Sequence, residues 1–134
     1  MVEVNIIYQG NLRCAATHGP SGTVITTDAP KDNHGLGEGF SPTDLVATAL
    51  GACMLTIMGI AARNLKLALE GTEVTVQKEM TPPPRRIAKL AVKIKVPLQL
   101  DDAHKQKLQE AALTCPVHKS LHPDVAMPVE FIWA

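Results

Sequence analysis

Aromatic side chains are scarce in this chain, with one Trp, one Tyr and two Phe among 134 residues. Net charge is missing as well, because 13 Lys and Arg balance 13 Asp and Glu. Without a basic excess there is no long-range field to gather phosphates, so neither a nucleic acid nor an anionic membrane is an expected partner. Without aromatic belts, a membrane span would lack its usual interfacial anchors. The chain also does not open on a basic segment followed by an apolar run; residues 1–9 alternate Val, Ile and Tyr with polar side chains. The expected location is therefore the reducing cytoplasm, where structural disulfide frameworks are not formed. Cysteines are few, and Cys14, Cys53 and Cys115 are widely and unevenly spaced. Under reducing conditions they are buried hydrophobes, metal ligands or redox groups.

What is present is small and aliphatic. Hydrophobic residues make up 46% of the chain, and 16 of the 134 residues are alanine. That is enough for one domain, residues 1–134, with a single core, and it excludes wholesale disorder. Residues 45–62 are uncharged throughout, at the lower limit of length for a membrane span. They are rich in Ala, Gly and Thr and lie between strand-like segments, so the expected surroundings are protein.

Periodicity gives the element order. Val2, Val4, Ile6 and Tyr8 alternate with polar residues and end at a Gly10-Asn11 turn. Leu12, Cys14 and Ala16 share one face of a second strand, with Cys14 read as core, and residues 23–28 fit a third. Ser41-Pro42-Thr43-Asp44 is a capping box with proline at the first helical position, predicting a helix from there to about Asn64. Val74 and Val76 mark a fourth strand. Leu90, Val92, Ile94, Val96 and Leu98 mark a fifth, with Lys89, Lys93 and Lys95 on its wet side. Leu108, Ala111, Ala112 and Cys115 have helical spacing, which Pro116 interrupts, and Val129, Phe131 and Trp133 close the chain as a strand. The order βββ-α-ββ-α-β groups the strands, which predicts an α+β fold with antiparallel sheets and a long buried central helix.

Three readings of the cysteines stand side by side. Cys53 and Cys115 can simply fill core space. They can form a reactive pair, in which Cys115 before Pro116 gains anion stabilisation from a fresh helix start. Or Cys115, His118 and His122, at i, i+3 and i+7, can ligate a metal with a fourth donor from His18, His34 or Cys53. Gly35-Leu36-Gly37-Glu38-Gly39 lacks the Gly-Lys-Ser/Thr ending of a phosphate loop.

Ser-Pro-Thr-Asp-Leu-Val-Ala-Thr-Ala-Leu-Gly-Ala-Cys53 and Thr114-Cys115-Pro116-Val117-His118 resemble the two cysteine segments of the family of osmotically inducible protein C and organic hydroperoxide resistance protein. The 62 positions from Cys53 to Cys115 and the element order fit as well. The resemblance implies an intertwined homodimer with its long helices central and its sites at the subunit interface. It implies a thiol peroxidase acting on small apolar organic hydroperoxides in oxidative-stress defence, with no cofactor and no resident metal. Cys53 would be the peroxidatic residue and Cys115 the resolving one, their disulfide being reduced by a dithiol.

Two supporting groups of the hydroperoxide reductases do not carry over. Their turn arginine corresponds to Pro20, and their glutamate ten residues before the first cysteine corresponds to Thr43, followed by Asp44. Arg13, Arg85 and Arg86 are the candidate substitutes. The alternative implied by these departures is a non-peroxidase member that binds a small apolar ligand at the dimer interface.

Overall fold

The computed structural model describes all residues, Met1–Ala134. The chain divides into two compact units, Met1–Val46 and Ala47–Ala134.

The first unit is a meander. Strands β1 (Val4–Gly10), β2 (Arg13–His18) and β3 (Val24–Asp28) pair antiparallel in the order β1-β2-β3. The β1–β2 turn is tight, and Gly10, Asn11 and Leu12 all take positive φ, which glycine and asparagine tolerate more readily than leucine does. Alternation in β1 predicts one covered face. Within the single chain, however, Val4, Ile6, Ile7 and Tyr8 are all exposed. Cys14, expected in the core, is only half-buried for the same reason.

At the end of β3 the Asp28 carboxylate is buried. Its Oδ2 accepts from the Glu38 N–H at 3.0 Å and lies 3.5 Å from Arg13 Nη2. Arg13 in turn holds Glu38 at 2.6 Å. These bonds fold residues 29–40 back onto β2 and β3, assisted by the Asp28 N–H donating to the Phe40 carbonyl at 3.0 Å.

The capping box forms as expected. Ser41 N donates to Asp44 Oδ2 at 2.9 Å, and Asp44 N donates to Ser41 Oγ at 3.1 Å, so two otherwise orphaned helix-start donors are satisfied. Helix α1 (Pro42–Asn64) follows and runs through 23 residues.

In the second unit β4 (Glu73–Met80) and β5 (Ile87–Val96) pair antiparallel, with Val76 opposite Val92. β5 alternates as the sequence requires: Leu90, Val92, Ile94 and Val96 are buried, while Lys93 and Lys95 face water. Leu98 lies beyond the strand, after Pro97. Helix α2 (Asp102–Leu113) starts on Asp101, whose carboxylate accepts from the His104 N–H at 2.8 Å. A short helix α3 (Pro116–Ser120) follows the Pro116 break, and β6 (Val129–Trp133) ends the chain. β6 pairs parallel to β5, with Ile94 opposite Phe131, so the second sheet is mixed where antiparallel pairing alone was expected. The intervening helices supply the crossover that a parallel pair needs. Lys105 of α2 lies over the Trp133 ring at 5.9 Å, and Trp133 stacks on Phe131.

By length and composition α1 is apolar enough to cross a membrane, but its Ala47, Leu50, Gly51, Met54, Met58 and Ala62 form a buried stripe. Gly51 is where helix and sheet meet. A β-carbon there would stand 3.1 Å from Val76 and 3.2 Å from Val74. A glycine in a helix costs roughly 1 kcal/mol relative to alanine, and close approach to β4 is the return on that cost. Gly51→Val is expected to lower the unfolding free energy by about 1–3 kcal/mol through overpacking. Urea denaturation checks it, and an unchanged midpoint would mean that α1 does not rest on β4 at this point.

Candidate functional site

Three elements of the second unit converge on the cysteine pair. Cys53 projects from the middle of α1 and is half-buried, one residue from the buried Met54. Cys115 sits where α2 stops and α3 begins. Thr114 ends α2, Cys115 N donates to Ala112 O at 3.3 Å, and Pro116 opens the next helix. The break demanded by proline leaves Cys115 outside helical conformation, with its side chain turned inward and fully buried. Its Sγ accepts from the His118 N–H at 3.4 Å, and the Cys53 sulfur lies close to it. All three cysteines are free thiols.

Two sulfurs in such proximity can form a disulfide after modest adjustment. Burial pushes the Cys115 pKa up, and the neighbouring Cys53 thiol pushes it further, while the N–H groups of His118 and Val117 pull it down. The expected helix-start stabilisation of a Cys115 anion is thus present but outweighed: the buried sulfur keeps its proton. Cys53 is the more accessible of the two.

The alternative metal arrangement loses the helix it requires. α3 ends at Ser120, so His122 is not one turn on from His118. His122 Nδ1 accepts from the Asp124 N–H at 3.0 Å instead. His18 pairs with Ser21 in the turn of the first unit, and His34 lies in its loop with positive φ. His118 is half-buried, and its Nδ1 is excluded from solvent with no hydrogen-bond partner.

The candidate substitutes for the family's arginine have other engagements. Arg13 is held by Glu38 and Asp28. Arg86 Nη1 donates to the Ile87 carbonyl at 3.0 Å. Pro20 lies in a turn closed by His18 N–H on Thr23 O at 2.8 Å, and Thr43 Oγ1 faces Ser41 Oγ at 3.3 Å. Sequence reasoning did not find the Asp28–Glu38 clamp on Arg13. Its parts are 10 and 15 residues apart, with no periodic signal joining them.

An α+β fold carrying a pair of interacting thiols, one on a long helix and one at a helix break, defines the class. Residues 35–130 match the family model described as OsmC-like protein. The chain belongs to that family. Among solved structures it is similar to one from Psychrobacter arcticus described as an osmotic stress induced and detoxification response protein. The two are 46% identical with a TM-score of 0.93, covering 98% of this chain and 96% of that one. The fold is also that of an organic hydroperoxide resistance protein from Legionella pneumophila, at 16% identity and TM-score 0.78, covering 98% and 96% of the two chains. A Vibrio cholerae structure described as an organic hydroperoxide resistance protein, with captopril in one of its active sites, shares it at 19% identity and TM-score 0.77, covering 98% and 90%. No curated protein sequence matches the chain.

The raised Cys115 pKa links to stability. In the unfolded chain this thiol ionises near the ordinary value of 9.0, whereas in the fold it keeps its proton to higher pH. The contribution is therefore complete below that ordinary value and declines as pH rises toward the folded one. Cys115→Ala is expected to flatten the fall in urea midpoint above about pH 9. Equal slopes in the variant and the parent protein would remove Cys115 as its source.

Proposed function

We propose that this OsmC-like protein is a thiol peroxidase that reduces small apolar organic hydroperoxides through Cys53 and Cys115. The observation that carries the reading is the closeness of the Cys53 and Cys115 sulfurs, the first half-buried and the second fully buried. The accessible Cys53 thiolate attacks the terminal oxygen of the hydroperoxide. The O–O bond breaks, the alcohol departs with a proton, and Cys53 becomes a sulfenic acid. Cys115 then forms a disulfide with Cys53 as water leaves, and a dithiol reductant restores both thiols.

The same reading makes the working form a cytoplasmic homodimer. Support comes from apolar surface left open in each unit taken alone. In the first unit Val4, Ile6, Ile7, Tyr8, Val24 and Ile25 are exposed. In the second, Thr48, Ala52, Thr56 and Ile60 form an exposed stripe along α1 at a spacing of four. Patches of this kind mark association surfaces. Because Cys53 borders the α1 stripe, a second copy seated there would enclose the sulfur in apolar surroundings.

The engagement of Arg13 by Asp28 and Glu38 favours a second reading, in which the protein binds a small apolar ligand at that interface without turnover. Free-thiol titration and intact mass, before and after one equivalent of cumene hydroperoxide, separate the two. The peroxidase is expected to lose two thiols and about 2 Da, with Cys14 retained and the loss abolished by Cys53→Ser. Thiols unchanged over hours would leave the binding protein. Sedimentation is expected to give twice the 14.4 kDa chain mass, with Ile60→Glu shifting the protein toward monomer. A monomeric parent protein would sink the dimer.

A further inference from the structure

We propose that the dithiol which restores the two thiols attacks the Cys53 sulfur of the disulfide, so that Cys115 is the sulfur that departs. The assignment rests on the peroxidase reading above and names which half of the pair the reductant meets. A disulfide offers two sulfurs to an incoming thiolate. Access and the stability of the departing thiolate decide between them.

Access is unequal. Cys115 has no solvent exposure, whereas Cys53 is half-buried on α1. Cys115 is turned inward at the break between α2 and α3, just after a helix whose Leu108 and Ala112 are also fully buried. A bond to Cys53 sets one more atom against the Cys115 sulfur and opens nothing around it. An attacking thiolate must reach its sulfur from the side away from the bond that breaks. Of the two residues, only Cys53 has surface open to solvent. The approach by which a hydroperoxide reaches Cys53 therefore serves the reductant too.

The departing sulfur also has a place to go. Cys115 Sγ accepts from the His118 N–H at 3.4 Å, and the Val117 N–H likewise favours its anion. Both donors are main-chain groups in the first turn of α3, so no side chain has to move to receive the thiolate. Burial works against a lasting anion, and Cys115 therefore takes up a proton once it has left.

The electrons balance. The first thiol of the reductant loses its proton and attacks Cys53 Sγ. A new S–S bond forms there as the bond to Cys115 breaks, and the electron pair leaves on Cys115, which is protonated. The second thiol of the reductant then attacks the first, closing its own disulfide and releasing Cys53. The protein gains two electrons and two protons, and the dithiol is oxidised to a disulfide.

The experiment uses the full-length protein and 2-mercaptoethanol, a monothiol that forms the mixed disulfide but cannot close on itself. Trypsin cleavage after Arg13, Lys31, Arg63, Lys107 and Lys119 puts Cys14, Cys53 and Cys115 on separate peptides. Protein oxidised with cumene hydroperoxide is mixed with the monothiol and quenched in acid at successive times. Free thiols are alkylated in denaturant, and the peptides are identified by mass. At the earliest times the adduct is expected on the Cys53 peptide in about 10-fold excess, with the alkyl label on the Cys115 peptide. An excess on the Cys115 peptide, or equal adducts on both, would overturn the assignment. Diamide, which joins neighbouring thiols without a sulfenic acid, supplies the same disulfide independently. If diamide forms it and cumene hydroperoxide does not, the peroxidase reading fails while the adduct's position still decides the assignment. If neither oxidant joins the two sulfurs, both fall.

Discussion

The Cys115 sulfur has no exposure to solvent and lies close to the Cys53 sulfur, and the local arrangement of the second unit follows from that contact. α1 must lie close to β4, which Gly51 permits where any larger residue would press on Val74 and Val76. α2 must stop two residues short of where its apolar spacing ends, and Pro116 enforces the stop while serving as the first residue of α3. The bend between the two helices turns the side chain at position 115 inward. Burial then decides the chemistry, because desolvation outweighs the two N–H groups that favour the anion. The contact therefore distinguishes two thiols that are otherwise alike: one keeps its proton, the other is open to solvent.

Charge is distributed on a different principle. Arg13 gives its guanidinium to Glu38 and the buried Asp28, and with them closes the loop of residues 29–40 against the first sheet. A cation held in this way serves the loop that leads into the capping box of α1. The positions where the hydroperoxide reductases carry an arginine and a glutamate likewise have structural duties here. Pro20 shapes a turn, and the Thr43 hydroxyl faces Ser41 at the helix start. Neutrality over the whole chain thus coexists with charges that are spent locally, and the apolar stretch around Cys53 in α1 contains no charged residue between Asp44 and Arg63.

The elements were legible wherever a local rule wrote them. The Ser41–Asp44 capping box, the Pro116 break and the alternation of β5 each depend on residues within one turn or one strand, and each forms at the expected place. Periodicity could not distinguish parallel from antiparallel pairing for β6, since Val129, Phe131 and Trp133 alternate identically in either. Nor could it foresee β1, whose alternation is real while both its faces lie open in the chain, leaving Cys14 half-buried. The pairing of Cys53 with Cys115 came from resemblance alone, because it joins residues far apart in sequence through tertiary packing. His118 was visible as a ligand-type residue at i+3 from Cys115. That its ring nitrogen would be buried and unpaired depends on the packing of α3, which the sequence does not encode locally.

The scarcity of aromatics acquires a physical sense from the two sides of α1. Its buried side is built of Ala47, Leu50, Gly51, Met54, Met58 and Ala62, and its open side of Thr48, Ala52, Thr56 and Ile60. Thr48, Ala52 and Thr56 keep the open side low, the room a partner backbone in the proposed dimer would need. Cys53 stands on the border between them, which makes its environment depend on whether the open side is covered. Uncovered, the sulfur meets water and any thiolate is solvated. Covered by a second copy, as in the proposed dimer, it would meet apolar surroundings with no charged residue of α1 between Asp44 and Arg63, which suits the apolar hydroperoxide of the proposed reaction. A bulky aromatic at position 52 or 56 would hold the partner off and leave the sulfur wet. The proposed substrate class and the proposed association surface thus rest on the same feature, small side chains along a helix that carries Cys53 at the edge of its open side.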